Sequence, residues 1–120
     1  MYYYSTAKKM EKLDILATEH GLEVKQMMEL AGWHMLEVFK KLGIDKSSSV
    51  VVVVGKGNKG GDGLCSARHL INNGYDVSVV LLGKQNSVDA DSHLNLLQQT
   101  NEELVVVEYG NQAKEAVSLI

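Results

Sequence analysis

Five consecutive valines, Val50 to Val54, run directly into Gly55-Lys56-Gly57-Asn58-Lys59-Gly60-Gly61-Asp62-Gly63, where glycine fills five of the nine places. β-Branched side chains favour extended backbone, and the lack of polar alternation predicts a strand over Ser49 to Val54 buried on both faces, a central strand of a parallel sheet. The glycines that follow permit tight turning, positive φ and close approach of the backbone to a ligand. Downstream, Leu64, Ala67, Leu70 and Ile71 mark one face of a helix that stops at Asn72-Asn73-Gly74, and Tyr75 to Leu82 reads as a second strand. Strand, glycine loop, helix and strand within so short a span make a βαβ unit with a right-handed crossover and parallel strands.

The flanking segments extend that pattern. Met10, Leu13, Ile15, Leu16 and Ala17 recur among charges from Ser5 to about Glu19, with Ser5 or Thr6 as cap and Gly21 as terminator. A second helix is predicted from about Glu23 to Leu42, where apolar residues return every three or four positions until Gly43. Asp89 to about Gln99 suits another helix, Leu104 to Val107 a third strand, and Gln112 to Ile120 the beginning of a further helix. Two leading helices followed by this alternation predict an α/β fold, a Rossmann-like three-layer αβα arrangement around a mostly parallel sheet. The 120 residues suffice for one domain and not two. Because the sequence closes on the uncapped, apolar Val117-Ser118-Leu119-Ile120, and three strands leave two open edges, the expectation is a partial domain with further strands or a partner chain, either a second copy or a complementing one.

Composition excludes several functions. A net charge of −3 with lysines scattered among acidic residues offers no basic face for nucleic acid. The one cysteine, Cys65, cannot close an internal disulfide, and the amino terminus lacks a secretory pattern, so a cytosolic setting is expected. The longest apolar run falls far short of the roughly twenty residues a membrane helix needs.

Chemistry is concentrated in the loop. It joins the carboxyl end of a strand to a helix start, the place where open α/β sheets bind ligands, and its amides together with the helix terminus suit phosphate or another anion. Gly55-Lys56-Gly57-Asn58-Lys59-Gly60 satisfies the dinucleotide pattern GxGxxG, yet the acidic partner expected at the end of the second strand is replaced by Leu82-Gly83-Lys84, and Asp76 lies at that strand's other end. No Gly-Lys-Ser/Thr follows to make a nucleotide triphosphate loop. Standard hydride transfer and NTP hydrolysis are both set aside.

The stretch Gly55 to Gly63 followed by Leu64, Ala67-Arg68-His69-Leu70 and Gly74-Tyr75-Asp76-Val77 resembles the signature of the YjeF amino-terminal family, the NAD(P)H-hydrate epimerases. Met10, Leu13-Asp14, Gly21 and Met28-Glu29-Leu30-Ala31-Gly32 resemble that family's paired leading helices. The resemblance runs from about Thr6 to Leu82 and implies interconversion of the R and S forms of hydrated NADH or NADPH, without redox change. It implies substrate contact at Asn58, Lys59, Gly60, Gly61 and Asp62; by its residue type Asp62 reads either as a helix cap that also contacts the ligand or as a helix cap alone. It implies potassium as the family's ion, whose asparagine ligand is replaced here by Lys59; an ammonium has only donors and cannot coordinate a cation, though it can supply the same charge or meet a phosphate. The family's catalytic aspartate lies beyond the third strand, so no residue here is assigned as general acid or base. The alternative from another class is a noncatalytic nucleotide-binding or scaffold module, since related domains occur in an RNA-decapping scaffold.

Other reactive residues read as structural. His69 suits packing or solvent, Arg68 a phosphate or an acidic neighbour, and Cys65 the core. His20, His34 and His93 are scattered, with no cysteine or carboxylate completing a metal ligand set. Met27, Met28, Met35 and Trp33 suit packing against the sheet or a second subunit.

Overall fold

The computed structural model describes residues 4–100 and 106–108. Its elements are α1 (Ala7–Glu19), α2 (Val24–Lys41), β1 (Ser49–Val54), α3 (Asn58–Asn72), β2 (Asp76–Leu81), α4 (Val88–Thr100) and β3 (Val106–Glu108). Gln112 to Ile120, expected to begin a helix, lies outside the described residues, as do Leu104 and Val105 of the expected third strand.

Local chemistry accounts for the boundaries. The Thr6 hydroxyl accepts from the Lys9 amide at 3.2 Å and caps α1. The Glu23 amide donates to Gln26 Oε1 at 2.7 Å at the start of α2. Gly21, Gly43 and Gly74 close α1, α2 and α3 at φ of +100°, +65° and +92°, a region that costs glycine nothing and other residues strain.

The three strands are parallel in the order β1-β2-β3. Ser49 pairs with Asp76 through to Val54 with Leu81, and Val79 pairs with Val106. Alternate residues Val50, Val52, Val54, Val77, Val79, Leu81 and Val106 face a core filled by Leu36, Leu64, Leu70 and Leu97 from α2, α3 and α4. The opposite face carries Val80 and Val107 with Val51. This is the Rossmann-like arrangement expected. None of the described helices is long and apolar enough to cross a membrane.

Three expectations are corrected. Among the described strands β2, not β1, is central, and Val53 on β1 is 51% exposed. The valine run encodes extended backbone, but which neighbours flank it depends on residues elsewhere in the chain. The glycine-rich stretch is mostly helix, because α3 starts at Asn58 and leaves only Gly55-Lys56-Gly57 as the turn. Nor do the loop glycines adopt positive φ; among the described residues only Gly21, Gly43 and Gly74 do.

Candidate functional site

The carboxyl end of β1 meets the amino end of α3 over the Gly55-Lys56-Gly57 turn. Gly57 is the N-cap of α3, in extended conformation, and gives the helix no side-chain cap. Its carbonyl accepts from the Gly60 amide at 3.0 Å, tightening the first turn. The helix amino terminus, with its partial positive charge, therefore points into the site without a side chain of its own to satisfy it. Asp62 sits in the second turn and does not cap, contrary to expectation, because the helix begins four residues before it.

What holds the turn comes from the segment after β2. The Leu82 amide donates to the Val54 carbonyl at 3.0 Å and the Asn86 amide to the Lys56 carbonyl at 2.9 Å. Gln85, buried, donates through Nε2 to the Gly55 carbonyl at 3.0 Å, while its Oε1 is buried without a hydrogen-bond partner. Sequence reading missed this residue: it follows a strand end in a stretch with no recognisable pattern, and only the fold brings it to Gly55. Replacing Gln85 by methionine, similar in length but unable to donate, is expected to cost about 1–2 kcal/mol in urea denaturation and to weaken ligand binding at the turn. Unchanged stability together with unchanged binding would remove Gln85 from the site.

The five residues the sequence singled out divide by environment. Asn58, Lys59 and Asp62 line a cleft of about 560 Å³ between α1, α2 and the start of α3. Gly60 and Gly61 are buried beneath them. A Cβ on Gly60 would overlap the Gly55 carbonyl, and one on Gly61 would overlap the Met28 side chain. Glycine is required here for close packing, a different reason from the backbone freedom that sequence suggested. Lys59 is 98% exposed and stands 4.0 Å from Asp62 across one helical turn, a pair that stabilises little in water. Burial raises the Asp62 carboxyl above the usual carboxylate value; Lys59 opposes that shift and Asp14 adds to it. At the far end of β2, Asp76 receives a hydrogen bond from Ser49 at 3.4 Å, remote from the turn, and the end beside the turn runs into Leu82-Gly83-Lys84.

Behind the site, α2, α3 and α4 are joined through Glu29. Arg68 pairs with its carboxylate, His69 Nε2 stands 3.4 Å from one oxygen and His93 Nδ1 3.9 Å from the other. A Glu29 oxygen, Cys65 Sγ and a His93 ring nitrogen all lie within 4.8 Å of one another. The expectation that no cysteine or carboxylate joins a histidine is thus corrected; the three residues sit on three helices and only packing assembles them. Arg68 on the same carboxylate gives the group its opposite charge. Cys65 is in the core as expected, its thiol pushed up to about 12 by burial and by Asp62. Met28 is buried against Cys65 and Ala90, whereas Trp33 and Met35 are exposed.

The family described as YjeF-related protein N-terminus matches residues 24–119. The NAD(P)H-hydrate epimerase of Mycosarcoma maydis is 40% identical over 93 residues, covering 77% of this chain and 34% of that protein. The NAD(P)H-hydrate epimerase of Plasmodium vivax is 33% identical over 102 residues, 84% of this chain and 35% of that protein. The bifunctional NAD(P)H-hydrate repair enzyme Nnr of Moorella thermoacetica is 38% identical over 97 residues, 78% of this chain and 18% of that protein. The crystal structure of yeast ynu0, YNL200c, aligns with a TM-score of 0.78 at 25% identity, over 92% of this chain and 49% of that one. The chain therefore spans about a third or less of these curated relatives and half of the solved structure.

Proposed function

The chain belongs to the YjeF-related protein N-terminus family, and from that premise we propose that the turn between β1 and α3 holds hydrated NADH or NADPH and serves the interconversion of its R and S forms. The observation that carries this reading is the amino terminus of α3, left without a side-chain cap at the carboxyl end of a parallel strand, with Lys56 and Lys59 beside it. Such a terminus stabilises a phosphate through its free amides and dipole. The family's relatives named NAD(P)H-hydrate epimerase supply the substrate class. The chain's own residues would bind and orient: amides of the first turn on a phosphate, Asn58 and Asp62 on neighbouring polar groups of the ligand. The reaction is a proton-assisted inversion at one carbon with no net electron transfer, so no hydride donor or acceptor is needed. A reducing, cytosolic compartment suits the free thiol of Cys65, and the exposed Trp33 and Met35 on α2 offer a surface for self-association.

Lys59 stands where the family carries its potassium-ligating asparagine. Its ammonium is nearly fully exposed and able to supply the ion's charge without coordinating it. The test follows R-to-S conversion of hydrated NADPH by wild type and by Lys59→Asn, each with and without potassium. Wild type should exceed the spontaneous rate equally in both conditions, while Lys59→Asn should become potassium-dependent. A variant indifferent to potassium would count against this role for Lys59. Tight binding with conversion at the spontaneous rate would favour the second reading, a noncatalytic binding module, which has the loss of the potassium ligand at Lys59 on its side.

A further inference from the structure

The cleft beside the first turn of α3 is larger than a phosphate needs. At about 560 Å³ it falls within the range of small-molecule sites. Its walls differ from the turn in character. Met10 and Ile15 of α1 face Met27 and Ala31 of α2 across it, an apolar slot in which flexible thioethers can adapt to a flat ring. Its polar lining is acidic: Glu11, Asp14 and Asp62 against the single cation Lys59. That balance repels phosphate and accepts hydrogen bonds from neutral donors. α1 itself buries none of its residues, although its cap is well made, so the side it turns toward α2 borders open space.

We propose that this cleft receives a nucleoside portion of the bound dinucleotide, its ring between α1 and α2 and its hydroxyl or amino hydrogens on Asp14 and Asp62, while the phosphates remain outside at the α3 terminus. The inference rests on the dinucleotide reading given above and adds to it a second, acidic subsite. Both halves of the ligand carry a ribose and an N–H donor, the adenine amino group or the carboxamide of the hydrated nicotinamide, and adenine adds a fully flat ring. The charge pattern orders the ligand along the site, anionic groups at the α3 amino end and the neutral end under α1. Asp62, half-buried and facing the same cavity as Asp14, is the carboxylate that gains most from a donor.

The experiment uses the chain labelled with 13C at methionine methyls and 15N at amides, titrated separately with adenosine, with reduced nicotinamide riboside, and with hydrated NADPH. The expected result is movement of the Met10 and Met27 methyl signals with hydrated NADPH and with one of the two nucleosides, which identifies the half that enters, while Met35, outside the cleft, stays still. Asp14→Ala should weaken that nucleoside about tenfold, the loss of one hydrogen bond to a charged group. If hydrated NADPH moves the amides of Asn58 to Gly61 but leaves Met10 and Met27 unmoved, the cleft proposal is overturned and the dinucleotide reading stands. If no ligand moves either set, both fall.

Discussion

Gly60→Ala is expected to lower stability by about 1–3 kcal/mol or more and to abolish ligand binding at the turn. The added methyl would overlap the Gly55 carbonyl and come within 2.8 Å of Gln85 Oε1. Neither neighbour can retreat freely, because the Gly55 carbonyl is itself held by Gln85 Nε2. Alanine in a helix is otherwise better than glycine by about 1 kcal/mol, so the steric term has to exceed that gain, and overlap with backbone does. Gly55 and Gly57 provide the control: a Cβ at either meets nothing within 4 Å. Alanine at Gly55 should change stability by no more than about 0.5 kcal/mol, and at Gly57, the N-cap of α3, by no more than about 1 kcal/mol. Urea denaturation of the three variants, with calorimetric titration of hydrated NADPH, separates the cases. Equal behaviour of Gly60→Ala and Gly57→Ala would mean that the turn is not packed as described.

Glu29→Gln should destabilise the chain by about 2–3 kcal/mol. Removing one partner of a fully buried ion pair costs about 3–5 kcal/mol, and the partial exposure of Glu29 reduces that. Arg68, whose side chain is only 15% exposed, would keep its charge without its carboxylate. The same group makes stability depend on pH. His69 and His93 are both held below the usual histidine value, first by burial and then by Arg68, even though each faces Glu29. At His93 a hydrogen bond to the Lys25 carbonyl and the charge of Asp89 oppose the shift, while the Lys25 ammonium adds to it. In the folded chain these rings stay neutral where the unfolded chain takes up protons, below about pH 6.5. The unfolded state then binds more protons, so stability is complete above that value and declines as pH falls through it toward the depressed folded values. Thermal unfolding from pH 8 to 5 should show Tm falling below about pH 6.5. A Tm that rises on acidification across that window would contradict the assignment.

Elements set by short-range chemistry were legible in the sequence. Thr6 caps α1, Gly21, Gly43 and Gly74 end three helices, and the valine run is a strand over the residues expected. The connection itself was legible too, since a glycine-rich stretch directly after a valine run marks a strand-to-helix turn. What escaped depends on residues far apart in the chain. The start of α3 inside the glycine stretch could not be read, because glycine is a poor helix former and only packing against Gly55, Gln85 and Met28 makes it necessary at Gly60 and Gly61. Gln85 reaches the Gly55 carbonyl across thirty residues of sequence, and His93 reaches Glu29 across more. Neither has a local pattern to announce it. Asp14 and Asp62 belong to different helices, and their shared cleft exists only once α1 lies beside α2.

The central claim, that the β1–α3 turn binds a hydrated nicotinamide dinucleotide, is tested most directly by 15N amide shifts of the wild-type chain during titration with hydrated NADPH. The largest changes are expected at Gly57 to Asp62, saturating with added ligand and vanishing in Gly60→Ala. Amides of that turn that stay fixed at saturating ligand, or changes spread over the surface without saturation, would contradict it.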